Sequence, residues 1–365
     1  MKKRIVIVGV GLIGGTIARG FKQNSDVQVI GIGRRIENLQ IAKSLNIIDA
    51  FSTDFSSEAI KADYIIFATP VKQSLKYMAE LAGLPTKAGL VVSDAGSTKQ
   101  EIVTAANQLF ANRDIYFIGG HPMAGSHKTG AIASRIDLFE NAFYILTPTE
   151  NVPEEVVEAF KQRLSGLKAR FIQLDAKQHD EITAMVSHLP HILAASLVLQ
   201  TKDFSEAFPL AKSMAAGGFR DMTRIASSDA RMWTDILMSN QSIILSRLDE
   251  WQAEMAKVKQ MIQRSEFDEL MAFFNEAKAF RETMDIHQTG AIPAFYDLFV
   301  DVPDEPGVIH NVLGLFVPDD LSIINIKIIE TEATGALQLS FKSYEDLSRA
   351  KALIKMHTHY EYYEM

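Results

Sequence analysis

The sequence has no cysteine among its 365 residues. This absence excludes disulfides, a thiolate nucleophile and cysteine-based metal sites, and it is compatible with a reducing cytoplasm. A long basic run is also missing, and the formal net charge is -8. Because the nucleic-acid backbone is bound by clustered lysine and arginine, nucleic acid is not an expected partner.

Long apolar runs are scarce as well, and none reaches the roughly 18 uninterrupted residues of a membrane span. The basic residues 1–4 and the apolar residues 5–18 imitate a secretory signal, but this stretch contains several glycines and no convincing cleavage site. We therefore expect a soluble, cytoplasmic protein without a membrane partner.

The composition instead favours large folded cores, since 47% of the residues are hydrophobic and 22% are charged. A disordered chain would have a different balance. At roughly 150 residues per domain, the length predicts two or three domains.

A glycine-rich turn near the N-terminus has the pattern of a dinucleotide-binding loop. The short β-branched run at residues 4–8 is typical of a buried parallel strand, and it ends in Gly9-Val-Gly11-Leu-Ile-Gly14. Gly9 permits the tight turn, Gly11 admits the pyrophosphate, and Gly14 lets the next helix pack on the strand. That helix is predicted to run to about Phe21. Further strand-like runs follow at residues 27–32, 64–68, 90–93 and 115–118, which predicts a Rossmann-type, doubly wound parallel sheet.

Cofactor preference is encoded at the end of the second strand, where an acid binds the ribose of NAD and a base accepts the 2′-phosphate of NADP. Here the residues are Gly33, Arg34 and Arg35. The two arginines are either phosphate ligands or a solvated surface pair. We predict that the cofactor is NAD or NADP and that NADP is accepted at least as well as NAD.

Two polar residues are predicted at the carboxyl edge of this sheet, where such folds bind ligands. Ser97 lies in Asp94-Ala-Gly-Ser-Thr-Lys99 between a strand and a helix, so it is a site residue or the helix N-cap. His121 follows another strand, and its reference pKa of about 6.5 suits a proton acceptor. A structural loop histidine is the alternative.

Six short motifs resemble those of prephenate dehydrogenase of tyrosine biosynthesis and occur in the same order along the sequence. They are the glycine fingerprint, Ala68-Thr-Pro70, Asp94-x-Gly-Ser97, Gly120-His-Pro-Met-Ala-Gly125, Ser187-His-Leu-Pro-His191 and Gly217-Gly-Phe-Arg-Asp-Met-Thr-Arg224, over about residues 4–285. The resemblance implies oxidative decarboxylation of prephenate to 4-hydroxyphenylpyruvate, with hydride transfer to NAD(P)+.

The resemblance also implies residue roles. His121 takes the proton of the ring hydroxyl, and Ser97 hydrogen-bonds the same region. Arg224 binds a carboxylate, for which its planar guanidinium is suited. Thr69 and Pro70 border the nicotinamide ribose.

His188 and His191 are three residues apart, and Pro190 between them is expected to kink their helix. They are metal ligands, core residues or substrate contacts. No third ligand is evident nearby, so we predict no metal site, and the resemblance favours substrate contacts. The chain departs from its relatives at His127, where an acid is common, so an ion pair built there in the family is not expected here.

Residues from about 175 to 281 read as helices. Residues 185–199 are apolar nearly all round, which predicts a deeply buried helix. A seam of packed helices, formed either within the chain or between subunits, is predicted from Ile244, Leu248, Trp251, Met255, Val258 and Ile262. The resemblance favours a homodimer built through this helical region.

After a linker near residues 283–293, the chain returns to a strand pattern. A strand at 295–302, a helix capped by Asp304, strands at 322–330 and 336–341, a helix from Tyr344 and a terminal strand give the order βαββαβ, which is ferredoxin-like. This segment resembles an ACT domain, which implies that an amino acid binds at the turn containing Gly307. We predict feedback inhibition by tyrosine, with a dimerising or stabilising appendage as the alternative.

The predicted architecture is thus an α/β Rossmann-type domain at residues 1–170, an all-helical substrate and dimerisation domain at 171–285, and a small α+β ferredoxin-like ACT domain at 294–365. Two alternative functions remain. One is an arogenate (cyclohexadienyl) dehydrogenase, and the other is a non-catalytic NAD(P)-binding amino-acid sensor.

Overall fold

A computed structural model describes residues 2–125, 128–284, 296–303, 305–330, 335–341 and 343–364. The chain divides into two compact units, Met1–Ala277 and Lys278–Met365. The predicted Asp304 cap and the linker after residue 284 lie outside the described residues.

The first unit is built on one sheet with the order β3-β2-β1-β4-β5-β6-β7-β8. Its strands are β1 Lys3–Val8, β2 Val27–Ile32, β3 Ala50–Ser52, β4 Tyr64–Phe67, β5 Leu90–Asp94, β6 Ile115–Pro122, β7 Phe143–Pro148 and β8 Arg170–Gln173. Strands β1 to β6 are parallel, which confirms the doubly wound sheet. Strand β7 runs antiparallel to β6, and β8, at the edge of the sheet, is parallel to β7; the sequence patterns did not predict these two strands.

Helices cover both faces of this sheet. They are α1 Leu12–Phe21, α2 Ile36–Ser44, α3 Phe55–Ala59, α4 Val71–Ala82, α5 Gln100–Leu109 and α6 Glu154–Arg163. Alternate residues of β1 belong to different cores, because strand side chains point to opposite faces. Ile5 and Ile7 lie in one buried cluster, and Val6 and Val8 lie in the other. The N-terminal apolar stretch is therefore the centre of the fold.

The remainder of the first unit is helical, as predicted. The main helices after β8 are α7 Ala176–Thr183, α8 Leu189–Ala207, α9 Gly217–Thr223, α10 Ala230–Ser239, α11 Gln241–Gln263 and α12 Phe267–Thr283, the last of which continues past Ala277 into the second unit. The carboxylate of Asp175 caps α7 by accepting a hydrogen bond of 2.8 Å from the amide of Gln178.

A π-helical turn, Ala184–His188, connects α7 to α8. Pro190 lies in the first turn of α8, where its missing N–H is tolerated. The expected irregularity is thus a wider turn just before the proline, and such turns are frequent at functional sites.

The expectation that residues 185–199 are deeply buried was wrong for the single chain. Met185, Val186 and Leu199 are 56%, 62% and 59% exposed, because none of the residues that the structure describes covers this face of the helical run. The seam on α11 behaves similarly: Ile244 is buried, but Ile262 is 61% exposed. By length and composition alone, the continuous helical run Ala176–Ala207 is also apolar enough to cross a membrane.

The second unit has a four-stranded antiparallel sheet in the order β10-β11-β9-β12. Its elements are β9 Tyr296–Val302, α13 Val308–Gly314, β10 Ile323–Glu330, β11 Gly335–Phe341, α14 Tyr344–His357 and β12 Tyr362–Glu364. This is the predicted βαββαβ order of an ACT-like fold. Leu298, Val300 and Leu339 from the sheet pack with Val312 and Ile354 from the helices to form its core.

Candidate functional site

The glycine fingerprint forms the turn between β1 and α1. Gly9 has φ of +94°, and a Cβ atom there would lie 2.5 Å from the carbonyl oxygen of Ala68. A Cβ on Gly14 would lie 2.1 Å from the carbonyl oxygen of Gly9, so α1 packs directly on the turn. Around Gly11, by contrast, there is open space within 4 Å of the Cβ position. These positions match the roles predicted for a dinucleotide loop.

A cavity of about 640 Å³ opens beside this turn. It is lined by most of the predicted cofactor-binding residues, namely Gly9, Gly11, Arg34, Arg35, Thr69 and Pro70. Gly14 is not on the wall and acts through helix packing. The Thr69 hydroxyl lies 2.9 Å from that of Ser74, which fixes the start of α4.

The cavity wall carries an excess of positive charge. Arg34 and Arg35 come from the end of β2, Lys72 and Lys76 from α4, and Arg231 from α10. Among the residues that the structure describes, none of these side chains forms an ion pair or a hydrogen bond, so their charges are available to a ligand. One acid, Asp235, lies on the same wall.

His121 stands at the carboxyl end of β6 and begins a chain of hydrogen bonds. Its Nδ1 lies 2.8 Å from Nε2 of His179, and Nδ1 of His179 lies 2.7 Å from Oδ1 of Asp180. His179 and Asp180 are fully buried on α7, whereas His121 is half-buried. We call these three residues the His–Asp chain.

The His–Asp chain fixes which ring nitrogen of His121 is free to accept a proton. Asp180 is an acceptor, so His179 donates its Nδ1 proton to it and presents Nε2 as an acceptor. His121 must then donate from Nδ1, which leaves the lone pair of Nε2 free. The amides of Lys99 and Gln100 also donate to Asp180, at 2.7 and 2.8 Å, so the carboxylate is held at the start of α5.

Burial lowers the pKa of His121 well below its ordinary value, and positive charge at His179, Lys99 and His188 lowers it further. Burial also lowers the pKa of His179, although the hydrogen bond to Asp180 opposes this shift. His121 is therefore neutral at neutral pH and can accept a proton.

His188 and His191 meet the same aromatic side chain. The His191 ring stacks on Trp233 with centroids 3.6 Å apart, and the His188 ring meets it edge-on at 6.1 Å. His188 is 1% exposed, and burial lowers its pKa to about 4. His191 is partly exposed; its pKa is lowered by burial and by the nearby charge of Arg224, against a hydrogen bond to the Ser187 carbonyl.

Ser97 lies half-buried in the loop between β5 and α5. Its hydroxyl makes no hydrogen bond to any residue in the described part of the chain. It is not the helix cap, because the first amides of α5 are satisfied by Asp180 instead. The hydroxyl is thus open to a ligand.

Sequence reasoning missed His179, Asp180, Trp233 and Asn240. Asn240 is buried and donates to the Asp180 carbonyl at 3.0 Å, and it lies 3.4 Å from Nδ1 of His188. One sequence signal was available: His179 and Asp180 are adjacent in the polar helix α7. Ser126 and His127, which follow the His121 motif, lie outside the described residues. No group of three potential metal ligands occurs in the described ranges.

The glycine turn, the basic cavity and the tautomer-fixed histidine at the strand edge define a Rossmann-type, nicotinamide-dependent oxidoreductase. Two family models match the chain: "Prephenate dehydrogenase, nucleotide-binding domain" over residues 17–173 and "Prephenate dehydrogenase, dimerization domain" over residues 175–276. The chain belongs to the prephenate dehydrogenase family.

Individual relatives agree with this assignment. A prephenate dehydrogenase of Bacillus subtilis is 45% identical over 99% of this chain and 98% of its own length. One from Lactococcus lactis is 46% identical over 98% of both. The crystal structure of the A. aeolicus prephenate dehydrogenase in complex with hydroxyphenyl propionate and NAD+ is 28% identical, covers 78% of this chain and 99% of its own, and has a TM-score of 0.71.

Proposed function

We propose that this chain converts prephenate to 4-hydroxyphenylpyruvate and carbon dioxide by oxidative decarboxylation, within tyrosine biosynthesis. The observation that carries the proposal is the His–Asp chain, which leaves Nε2 of a neutral His121 with a free lone pair at the carboxyl edge of the sheet. The family assignment supports the substrate.

His121 accepts the proton of the ring hydroxyl at Nε2, and the buried Asp180 stabilises the resulting imidazolium through His179. The open hydroxyl of Ser97 donates to or accepts from the same substrate oxygen. The hydroxyl carbon would pass its hydride to the nicotinamide and become a carbonyl. The bond to the ring carboxylate then breaks, carbon dioxide leaves, and the electron pair left behind makes the ring an aromatic phenolate that regains a proton, so the overall reaction is effectively irreversible.

The substrate carries two carboxylates. Arg224 has the planar guanidinium that pairs with one of them, and its charge already acts on His191. We propose a direct substrate contact for the partly exposed His191. For the buried His188 we propose an indirect contact through the ring of Trp233.

The cavity residues fit a nicotinamide dinucleotide. Gly9 and Gly11 admit the pyrophosphate at the start of α1, and Thr69 and Pro70 border the nicotinamide ribose. When bound, the nicotinamide accepts the hydride. Because Arg34 and Arg35 replace the expected acid, we propose that NADP is used at least as well as NAD.

We further propose a cytoplasmic homodimer in which the exposed apolar face of α8 is covered by the partner subunit. The chain would then consist of the three domains 1–170, 171–285 and 294–365. Tyrosine is proposed as a feedback inhibitor at the turn of Gly307, which has φ of +86° and open space around its Cβ position.

One assay tests these statements: reduction of NAD and of NADP, each with prephenate and with arogenate, with and without tyrosine. We expect turnover of prephenate, with kcat/KM for NADP at least equal to that for NAD. Preferred turnover of arogenate would reassign the substrate. Coenzyme binding without turnover of either substrate would indicate a sensor. Deleting residues from Ala294 onward should abolish tyrosine inhibition; retained inhibition would place the effector site elsewhere.

A further inference from the structure

A fully buried ion pair lies beneath the His–Asp chain. The side chains of Lys99 and Asp94 are 0% and 1% exposed, and the ammonium donates to Oδ2 of Asp94. Asp94 ends β5 and also accepts hydrogen bonds from the amides of Gly96 at 2.8 Å and Gly120 at 3.0 Å. The pair is therefore hydrogen-bonded, through Asp94, to Gly120, which immediately precedes His121.

Lys99 is also hydrogen-bonded to Asp180, the last residue of the His–Asp chain. Its main-chain N–H donates to Oδ1 of Asp180 at 2.7 Å, and the same oxygen accepts from His179 at 2.7 Å. Lys99 thus connects two parts of the site. Its side chain is paired with Asp94, which holds the strand that carries His121, and its backbone holds the Asp180 carboxylate that orients His121 through His179.

The glycines of the two motifs make room for this arrangement. A Cβ on Gly96 would lie 2.9 Å from the Asp94 carboxylate and 3.7 Å from the Lys99 ammonium. A Cβ on Gly120 would lie 2.5 Å from the Asp94 carbonyl oxygen. The distances of 2.9 Å to the paired carboxylate and 2.5 Å to a main-chain oxygen are too short for a Cβ atom unless its neighbours shift. Glycine at these two positions therefore permits the close packing around Asp94.

Stability alone does not account for such a pair, because well-packed apolar residues often replace a buried ion pair without loss of stability. The positive charge of Lys99, however, acts on His121. The described groups facing His121 are His179 from α7, His188 from the π turn and Lys99, with Asp94 and Asp180 beyond them. Positive charge at Lys99 opposes the formation of an imidazolium.

We propose that Lys99, paired with Asp94, is the positioning residue of the base: it fixes the strand end that carries His121 and the carboxylate of Asp180, and it places a buried positive charge beside the imidazole. This rests on the proposed role of His121. Both side chains of the pair are buried, so their effect on the reaction is exerted through the His–Asp chain.

The test is the pH profile of the double variant Asp94→Asn/Lys99→Met, which removes both charges but keeps a side-chain acceptor for the Gly120 amide. We expect the acid limb of kcat/KM to move upward by about one pH unit, so that activity is lost at low pH and largely retained at pH 9. The matched control is Arg4→Met/Glu58→Gln, which removes a pair outside the site and should leave the limb in place.

A uniform loss of kcat/KM at every pH, or an unmoved limb, would overturn the proposal. If the double variant does not fold, Lys99→Gln, which removes the positive charge but keeps a polar side chain, is compared with the unaltered protein by ¹⁵N imidazole NMR, with signals assigned through His121→Asn and His179→Asn. We expect His121 to be neutral with Nδ1 protonated at pH 7 in the unaltered protein and to take up a proton at higher pH in the variant. An equal protonation midpoint in the two proteins, or the other tautomer, would contradict the proposal. Should His121→Asn itself retain full activity, the proposed function fails first, independently of Lys99.

Discussion

The Nδ1 atom of His121 lies 2.8 Å from Nε2 of His179, a residue 58 positions further along the chain. This contact joins the carboxyl end of β6, in the nucleotide-binding sheet, to α7, the first helix of the helical region. Because His179 is itself fixed by Asp180, it determines both the tautomer and the direction of the proposed base.

Replacing His121 with Asn should lower kcat by about 100-fold or more, with KM changed only a few-fold, because proton acceptance develops in the transition state. The Asn amide can still donate to His179, so the variant should fold. Steady-state kinetics check this, with His357→Asn, at the exposed last residue of α14, as the control. An unchanged kcat would remove His121 from the mechanism.

The pH dependence of stability should report on His188. Its pKa is about 4 in the folded chain, below its ordinary value, so the unfolded chain binds the proton more tightly. Stability is therefore fully present above about pH 6.5 and is lost as pH falls toward 4, by about 2 kcal/mol at pH 5.

Urea unfolding at pH 7.5, 6 and 5 measures this loss. The variant His188→Asn should lose about 2 kcal/mol less than the unaltered protein over that range. His357→Asn should behave like the unaltered protein. Identical acid sensitivity in the His188 variant would show that this histidine is not buried in its neutral form.

Coenzyme preference should depend on Arg34 and Arg35. Replacing both with Ala removes the cations that would pair with a 2′-phosphate, so kcat/KM for NADP should fall about tenfold or more while that for NAD changes little. Lys43→Ala, an exposed lysine on α2 away from the cavity wall, is the control. An equal fall with both coenzymes would indicate that the arginines do not recognise the 2′-phosphate.

The exposed apolar face of the helical region should be a subunit interface. Val186→Asp places a charge on a residue that is 62% exposed in the single chain, and burying that charge in a dimer would be costly. Sedimentation should show a dimer for the unaltered protein and a monomer for the variant. Ile41→Asp, at an exposed apolar site on α2, should remain dimeric. A monomer for the unaltered protein would count against the proposed dimer.

The sequence by itself determined the elements that depend on local pattern. The glycine turn requires particular backbone conformations, strands of the parallel sheet are short apolar runs, and the ACT-like order follows from alternating strand and helix signals. The positions of Gly9, Gly11, His121 and Arg34 relative to the sheet follow from these patterns, because a strand end fixes where its next residues lie.

Only the tertiary structure decided which distant side chains meet. His179, Asp180 and Trp233 carry no motif, and their roles arise from contacts between segments far apart in the chain. The same holds for the burial of Lys99 with Asp94 and for the exposure of Met185, since hydrophobic periodicity shows that a face must be covered but not by which surface. Local conformational preference is written in neighbouring residues, whereas burial and pairing depend on how the whole chain packs.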